Sequence, residues 1–155
     1  MLVIIQARSS SKRFKNKILF PIYGIPLIEH VIRKVNKTKK KIKIVVSTSF
    51  EKSDDKLVKY LQKNQISFFR GSLNNVALRL YKTAKKYKAK YFVRINGDSP
   101  LFDSRILDEA LAIKKIYSGY DLITNVYPRT FPKGQSVEIV KTSLIIKYLN
   151  KFDLK

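Results

Sequence analysis

Short continuous apolar runs alternate along this 155-residue chain with longer segments whose apolar residues recur at helical spacing, and that alternation leaves few folds open. LVIIQ (2–6), IKIVVST (42–48), ISFFRG (66–71), YFVRI (91–95), DLITNV (121–126) and SVEIV (136–140) read as strands. Between the first two, Pro26 opens a helix with Leu27, Ile28, Val31, Ile32 and Val35 on one stripe. Ser53, Asp54 and Asp55 cap a second helix, which carries Leu57, Val58, Tyr60 and Leu61. A third helix spans 74–88 with Asn74 or Asn75 as its cap, and Asp103 or Ser104 starts a fourth, ILDEALAIKKIY. An amphipathic segment, SLIIKYL (143–149), follows the last strand.

Strands separated by helical segments imply crossover connections, hence a largely parallel sheet with helices on both faces in a doubly wound layout. No repeat or low-complexity linker interrupts the chain, so a single domain, 1–155, is expected. In such sheets ligands sit beyond the carboxyl ends of the strands. Four loops should meet there: 7–17, 70–75, 96–100 and 127–135.

Composition removes several kinds of chemistry. The chain has no cysteine and one histidine, His30, so disulfides, thiolate zinc sites and multi-imidazole sites are excluded. The N-terminus places its apolar residues before its charges, the reverse of a secretory signal. No run approaches the ~20 apolar residues of a membrane helix, so no membrane insertion is expected, and the expected location is cytoplasmic. The formal net charge of +22 raises the question of nucleic acid. However, the 33 basic residues are 25 Lys and 8 Arg, dispersed along the chain with no nucleic-acid motif, which fits a solvated lysine surface better than a specific nucleic-acid partner.

The loops hold the remaining signal. Loop 7–17, ARSSSKRFKNK, carries Arg8, Lys12, Arg13, Lys15 and Lys17 directly after the first strand. Its small residues Ser9, Ser10 and Ser11 would let backbone N–H groups approach a phosphate. Asp98 lies in the NGDSP bend after the fourth strand, where a carboxylate can hold Mg²⁺ bridged to phosphate oxygens, and Gly97 permits the turn. Loop 125–138 is stiffened by two prolines and carries Arg129, which could pair with a carboxylate. Glu138 could orient a hydroxyl or face solvent, while Arg70 and Arg79 could flank a ligand or serve as ion-pair partners. His30 reads as a helix residue packing near the surface.

Four blocks carry a family resemblance. IIQARSSSKRFKNKIL, FFRGSLNNVALRLYKTAKKY, RINGDSPLFDSRILDE and PRTFPKGQSVEIV resemble, in order and spacing, the signatures of the cytidylyltransferases similar to CMP-KDO synthetase and to spore-coat polysaccharide enzymes. The resemblance implies the nucleotide-diphospho-sugar transferase fold, a Rossmann-like three-layer α/β/α sandwich. It implies transfer of CMP from CTP to an acidic sugar with release of pyrophosphate, and Mg²⁺ as cofactor. By the same resemblance Arg8, Lys17 and Asp98 are catalytic, with Asp98 the metal ligand. Ala7, Arg8, Ser10, Ser11, Arg13, Lys17, Arg70, Arg79, Asn96 and Gly97 would bind the nucleotide, and Arg129, Gln135 and Glu138 the sugar.

The chain also departs from the family pattern. The usual LPGK is FKNK here, and Ser136 stands where an Asp usually precedes Val-Glu. Family chains usually continue into a C-terminal portion that completes the sheet and contributes to dimerisation, so this chain is expected to be short at that end, with an open sheet edge and a homodimer among the expectations. Two alternatives stay open: a catalytically silent sugar-nucleotide-binding module, and a polyanion-binding protein.

Overall fold

The computed structural model describes residues 1–10 and 14–152. Its centre is β1 (Leu2–Gln6), whose first four residues are all buried. β1 pairs in parallel with β4 (Lys43–Ser49) on one side and β6 (Tyr91–Asn96) on the other, and β5 (Phe68–Gly71) extends the sheet beyond β4. The order is β5-β4-β1-β6-β8-β7, closed by β7 (Leu122–Thr124) and β8 (Glu138–Lys141). β8 runs antiparallel to both its neighbours, so β7 points the same way as β1. The chain between β7 and β8 therefore leaves the carboxyl edge, as do the loops after β1, β5 and β6. All four expected loops meet there.

Alternation along the strands divides the core into two layers. Val3, Ile5, Val46, Val93, Ile95 and Ile139 face α1 (Leu27–Val35), α2 (Asp55–Lys63) and α4 (Ser104–Ile116). Leu2, Ile4, Val45 and Phe92 face α3 (Val76–Lys86) and α5 (Thr142–Phe152). The three-layer sandwich follows directly, because a strand buried on both sides needs a helix on each. Ile4 has no exposed surface. Ile4→Ala should lower unfolding free energy by about 2–5 kcal/mol, measured by urea denaturation.

Two local features differ from the sequence expectation. Residues 21–26 form a hairpin, β2 (Pro21–Ile22) and β3 (Ile25–Pro26), before α1 begins at Leu27. Its two turn residues, Tyr23 (φ 50°) and Gly24 (φ 74°), have the left-handed backbone that a tight hairpin requires. His30 Nε2–H donates to Ile22 O, 2.9 Å away, and so ties α1 to this hairpin. The second difference is Asp54, expected as a helix cap. It makes no cap bond, and its side chain turns inward. The caps of α3 and α4 are Asn75, accepting from Leu78 N–H, and Asp103, accepting from Arg105 N–H. Among the described residues no helix is long and apolar enough to cross a membrane.

Candidate active site at the carboxyl edge

A cleft of about 730 Å³ opens at the carboxyl edge. Gln6, Ala7, Arg8 and Ser10 form one wall, Leu73 and Asn74 another, and Lys17, Asn96 and Asp98 line the space between. The first loop returns to the cleft because Asn16 N–H donates to Ser9 O at 3.1 Å and Asn16 takes a left-handed backbone (φ 57°). That reversal delivers Lys17, whose Nζ lies 2.6 Å from Asp98 Oδ2. Both side chains keep substantial exposure, 31% and 46%, so the pair is open to exchange with an incoming ligand. Asp98 stands beside β1 because Gly97 packs flush against the strand end. Gly97 N–H donates to Gln6 O at 2.8 Å, and a Cβ on Gly97 would lie 2.9 Å from Ala7 Cβ.

A smaller pocket of about 170 Å³ adjoins the cleft, with Asn96 lining both. Arg94, Arg129, Ser136 and Glu138 surround it, together with Val126. Arg94 Nη1 donates to Glu138 Oε2 at 2.5 Å, and its Nε donates to Gln6 Oε1 at 3.0 Å. The cross-strand register places Arg94 opposite Glu138 on one side and Ile4 on the other, with Gln6 two residues along β1. With Arg94 paired to Glu138, Arg129 remains as the exposed cation of this pocket, near Ser136 Oγ at 3.5 Å.

Beneath the first loop lies a wholly buried carboxylate. Asp54 accepts the Ser9 amide at 2.6 Å, the Ser49 amide at 3.0 Å and the Ser49 hydroxyl. Burial alone would raise its pKa, but the hydrogen bonds from Ser49 and Ser9, with a smaller contribution from Thr48, outweigh it and hold the carboxyl below the ordinary value of 3.8. A depressed folded pKa contributes stability above the unfolded value that is lost as pH falls through the folded one. Asp54→Asn should therefore flatten the loss of stability on acidification below about pH 4, measured by denaturant midpoints across pH.

Ala7, Arg8, Ser10, Lys17, Asn96 and Asp98 thus line the cleft, and Arg129 and Glu138 line the pocket. Ser11 and Arg13, also expected in the first loop, lie outside the described residues. Gly97 acts through close packing. Three expected contacts are placed differently. Arg70 is tied to Ser49 O, Glu51 O and Asp55. Arg79 is fully buried behind the 72–73 turn, where it donates to Ser72 O and Leu73 O; burial and then the nearby Arg8 lower its pKa. Gln135 spends its amide on Asp103 N–H and Leu101 O and clasps two loops together. Neighbouring backbone or carboxylate groups hold Arg70 and Gln135 locally, whereas Nε and Nη2 of Arg79 are buried with no hydrogen-bond partner among the described residues.

Gln6 and Arg94 belong to the site region but escaped the sequence reading, and Asn74 and Asp54, read only as helix caps, belong to it too. Gln6 and Arg94 did leave a signal: each is a polar side chain in an otherwise apolar strand, where burial demands a partner. Among the described residues no group of three or more His, Cys, Asp or Glu could hold a metal ion. Asp98 is the carboxylate lining the cleft, which suits Mg²⁺ bound chiefly by a ligand's phosphates and one or two protein carboxylates.

Comparison with known proteins bears on the family and the fold. Residues 2–143 match the family model described as Cytidylyltransferase. The spore coat polysaccharide biosynthesis protein SpsF of Bacillus subtilis is 31% identical over 151 residues, covering 94% of this chain and 61% of that protein. A solved cytidylyltransferase from Leptospira borgpetersenii superposes with a TM-score of 0.89 at 35% identity, covering 96% of this chain and 63% of that one. The chain therefore spans less than two thirds of either relative. A CMP:2-keto-3-deoxy-manno-octonic acid synthetase complexed with CTP shares the fold, with a TM-score of 0.76 at 16% identity over 96% of this chain and 77% of its own.

Proposed function

This chain belongs to the cytidylyltransferase family, and on that premise we propose that it transfers CMP from CTP to an acidic sugar, in the cytoplasm, in the synthesis of a surface polysaccharide. The observation that carries the reading is the pair of adjoining spaces: a large cleft lined by Arg8, Lys17 and Asp98 opens at Asn96 into a small pocket lined by Arg94, Arg129 and Glu138. The first space suits a nucleoside triphosphate. The second suits a small polyhydroxylated acid, with Arg129 pairing its carboxylate and Glu138 accepting from a hydroxyl.

In the reaction a sugar hydroxyl oxygen bonds to the α-phosphorus of CTP as the bond to the β-phosphate bridging oxygen breaks. Pyrophosphate leaves, and the hydroxyl proton passes to solvent. Arg8 and Lys17 offset charge on the triphosphate and the departing pyrophosphate. Arg94, fixed by Gln6 and Glu138, shapes the pocket floor without needing to move. When bound, Mg²⁺ would be held by Asp98 and would supply charge neutralisation on phosphate oxygens. Engagement of the triphosphate would separate Lys17 from Asp98, giving the cation to phosphate and leaving the carboxylate free.

Pyrophosphate release from CTP with Mg²⁺, screened across sugar acids and their neutral counterparts, tests the proposal. Release with an acid and not with its neutral counterpart is the expected result, and Arg129→Leu should raise KM for that acid about tenfold or more. Ser136 favours one second reading, because a hydroxyl stands in the pocket where the family pattern places a carboxylate. CTP binding without pyrophosphate release from any acid would make the chain a binding module instead.

A further inference from the structure

We propose that Asp54 is a positioning residue that aims the cleft-facing groups of the first loop; this rests on the nucleotide site proposed above. Arg8 and Ser10 both line the cleft, and Ser9 between them is buried. Ser9 is the pivot of the loop. Its amide is the second after that of Ala7, whose own N–H still bonds to Ser47 O at 3.1 Å, and its carbonyl accepts from Asn16 N–H to bring Lys17 back. The pivot amide ends on Asp54 Oδ1 at 2.6 Å.

The other oxygen of Asp54 takes the amide and hydroxyl of Ser49, the last residue of β4. One carboxylate therefore gathers three donors from the exits of two adjacent strands. No lysine or arginine forms a salt bridge with it among the described residues, although Arg79 lies close enough to act on it through space. A carboxylate suits this place because it only accepts. An amide of the same shape would turn N–H groups toward other N–H donors. Burying an acid here has a desolvation cost that a small apolar residue would avoid, and the arrangement gained is a fixed direction for Ser9. Asp54 touches no cleft surface, so its effect on ligand passes through the loop it holds.

The test compares the full chain with Asp54→Asn and with Thr83→Val, a control that removes a buried side-chain hydrogen bond between α3 and Ser47 of β4 and takes no donor from Asp54. All are studied at a temperature where each is folded. Calorimetry with CTP and Mg²⁺ should show Kd raised about tenfold or more in Asp54→Asn, as for other supporting-shell losses, and within about twofold of the parent in Thr83→Val. Hydrogen exchange at the Ser9 amide should be slow in the parent and in Thr83→Val and fast in Asp54→Asn. Should Asp54→Asn fail to fold, Ser49→Ala, which removes one of the three donors, should still raise Kd about threefold and speed Ser9 exchange. Equal CTP affinity in parent and Asp54 or Ser49 variants overturns the proposal. So does a Ser9 amide that exchanges in the parent as fast as exposed loop amides. A parent that binds no CTP but keeps a protected, Asp54-dependent Ser9 sinks the nucleotide reading and leaves Asp54 as the loop's brace.

Discussion

Asp98→Ala is expected to cut pyrophosphate release by about 100- to 1000-fold, the loss typical of removing one group that stabilises transition-state charge. Asp98 is about half exposed, and its partner Lys17 is also in reach of solvent. Losing this exposed pair should change unfolding free energy by less than about 1 kcal/mol. The two effects separate cleanly: activity collapses while the denaturation midpoint hardly moves. Asp98→Asn keeps the shape and removes the charge, so it should behave nearly as badly. Steady-state assays at saturating CTP, beside urea unfolding of the same preparations, check both halves. Unchanged turnover in either variant would remove Asp98 from the chemistry.

The second large effect concerns a residue with no side chain. Gly97→Ala would put a Cβ 2.9 Å from Gln6 O and from Ala7 Cβ, and 3.2 Å from Ile28 Cδ1. The first two belong to the central strand's exit and cannot swing aside as a long side chain could. The 96–98 bend must lift off β1, at a cost of about 1–3 kcal/mol in stability. Lifting it also moves Asp98 and Asn96, at the junction of cleft and pocket, and displacements near 1 Å can cost about 100-fold in rate. Gly97→Ala should thus lose both stability and activity, in contrast to Asp98→Ala, which loses activity alone. Circular dichroism melts and turnover on one preparation distinguish the two patterns.

That contrast shows how far the residue pattern reaches. β1, β4 and β6 are legible because each is built on a short apolar run, and placing Arg8, Lys17 and Asp98 needs only the rule that loops after such strands share an edge. The antiparallel direction of β8 is not legible, since hydrophobicity records burial and carries no arrow. The 21–26 hairpin has two residues per strand, too few for any period to show. In the site, Arg94 and Glu138 meet by register across β6 and β8, which depends on the unread direction of β8. Asp54 sat in a good capping sequence, Ser-Asp-Asp before a helix, and local propensity said nothing of the distant Ser9 amide that claims it. The partners of Arg70 and Gln135 were out of reach for the same reason: Asp55 at the start of α2 and the Asp103 amide before α4 lie far from them in sequence.

The most direct test of the central claim is thermal unfolding with Mg²⁺ and saturating CTP, UTP, GTP or ATP. A ligand at about 100 times its Kd adds roughly 2.7 kcal/mol to the native state, which for a domain of this size raises Tm by roughly 5–10 °C. A Mg²⁺-dependent rise with CTP alone, weakened in Asp98→Asn, is the predicted result. Equal rises with all four nucleotides, abolished by salt, would mean that the +22 surface binds polyanions and would contradict the cytidylyltransferase site.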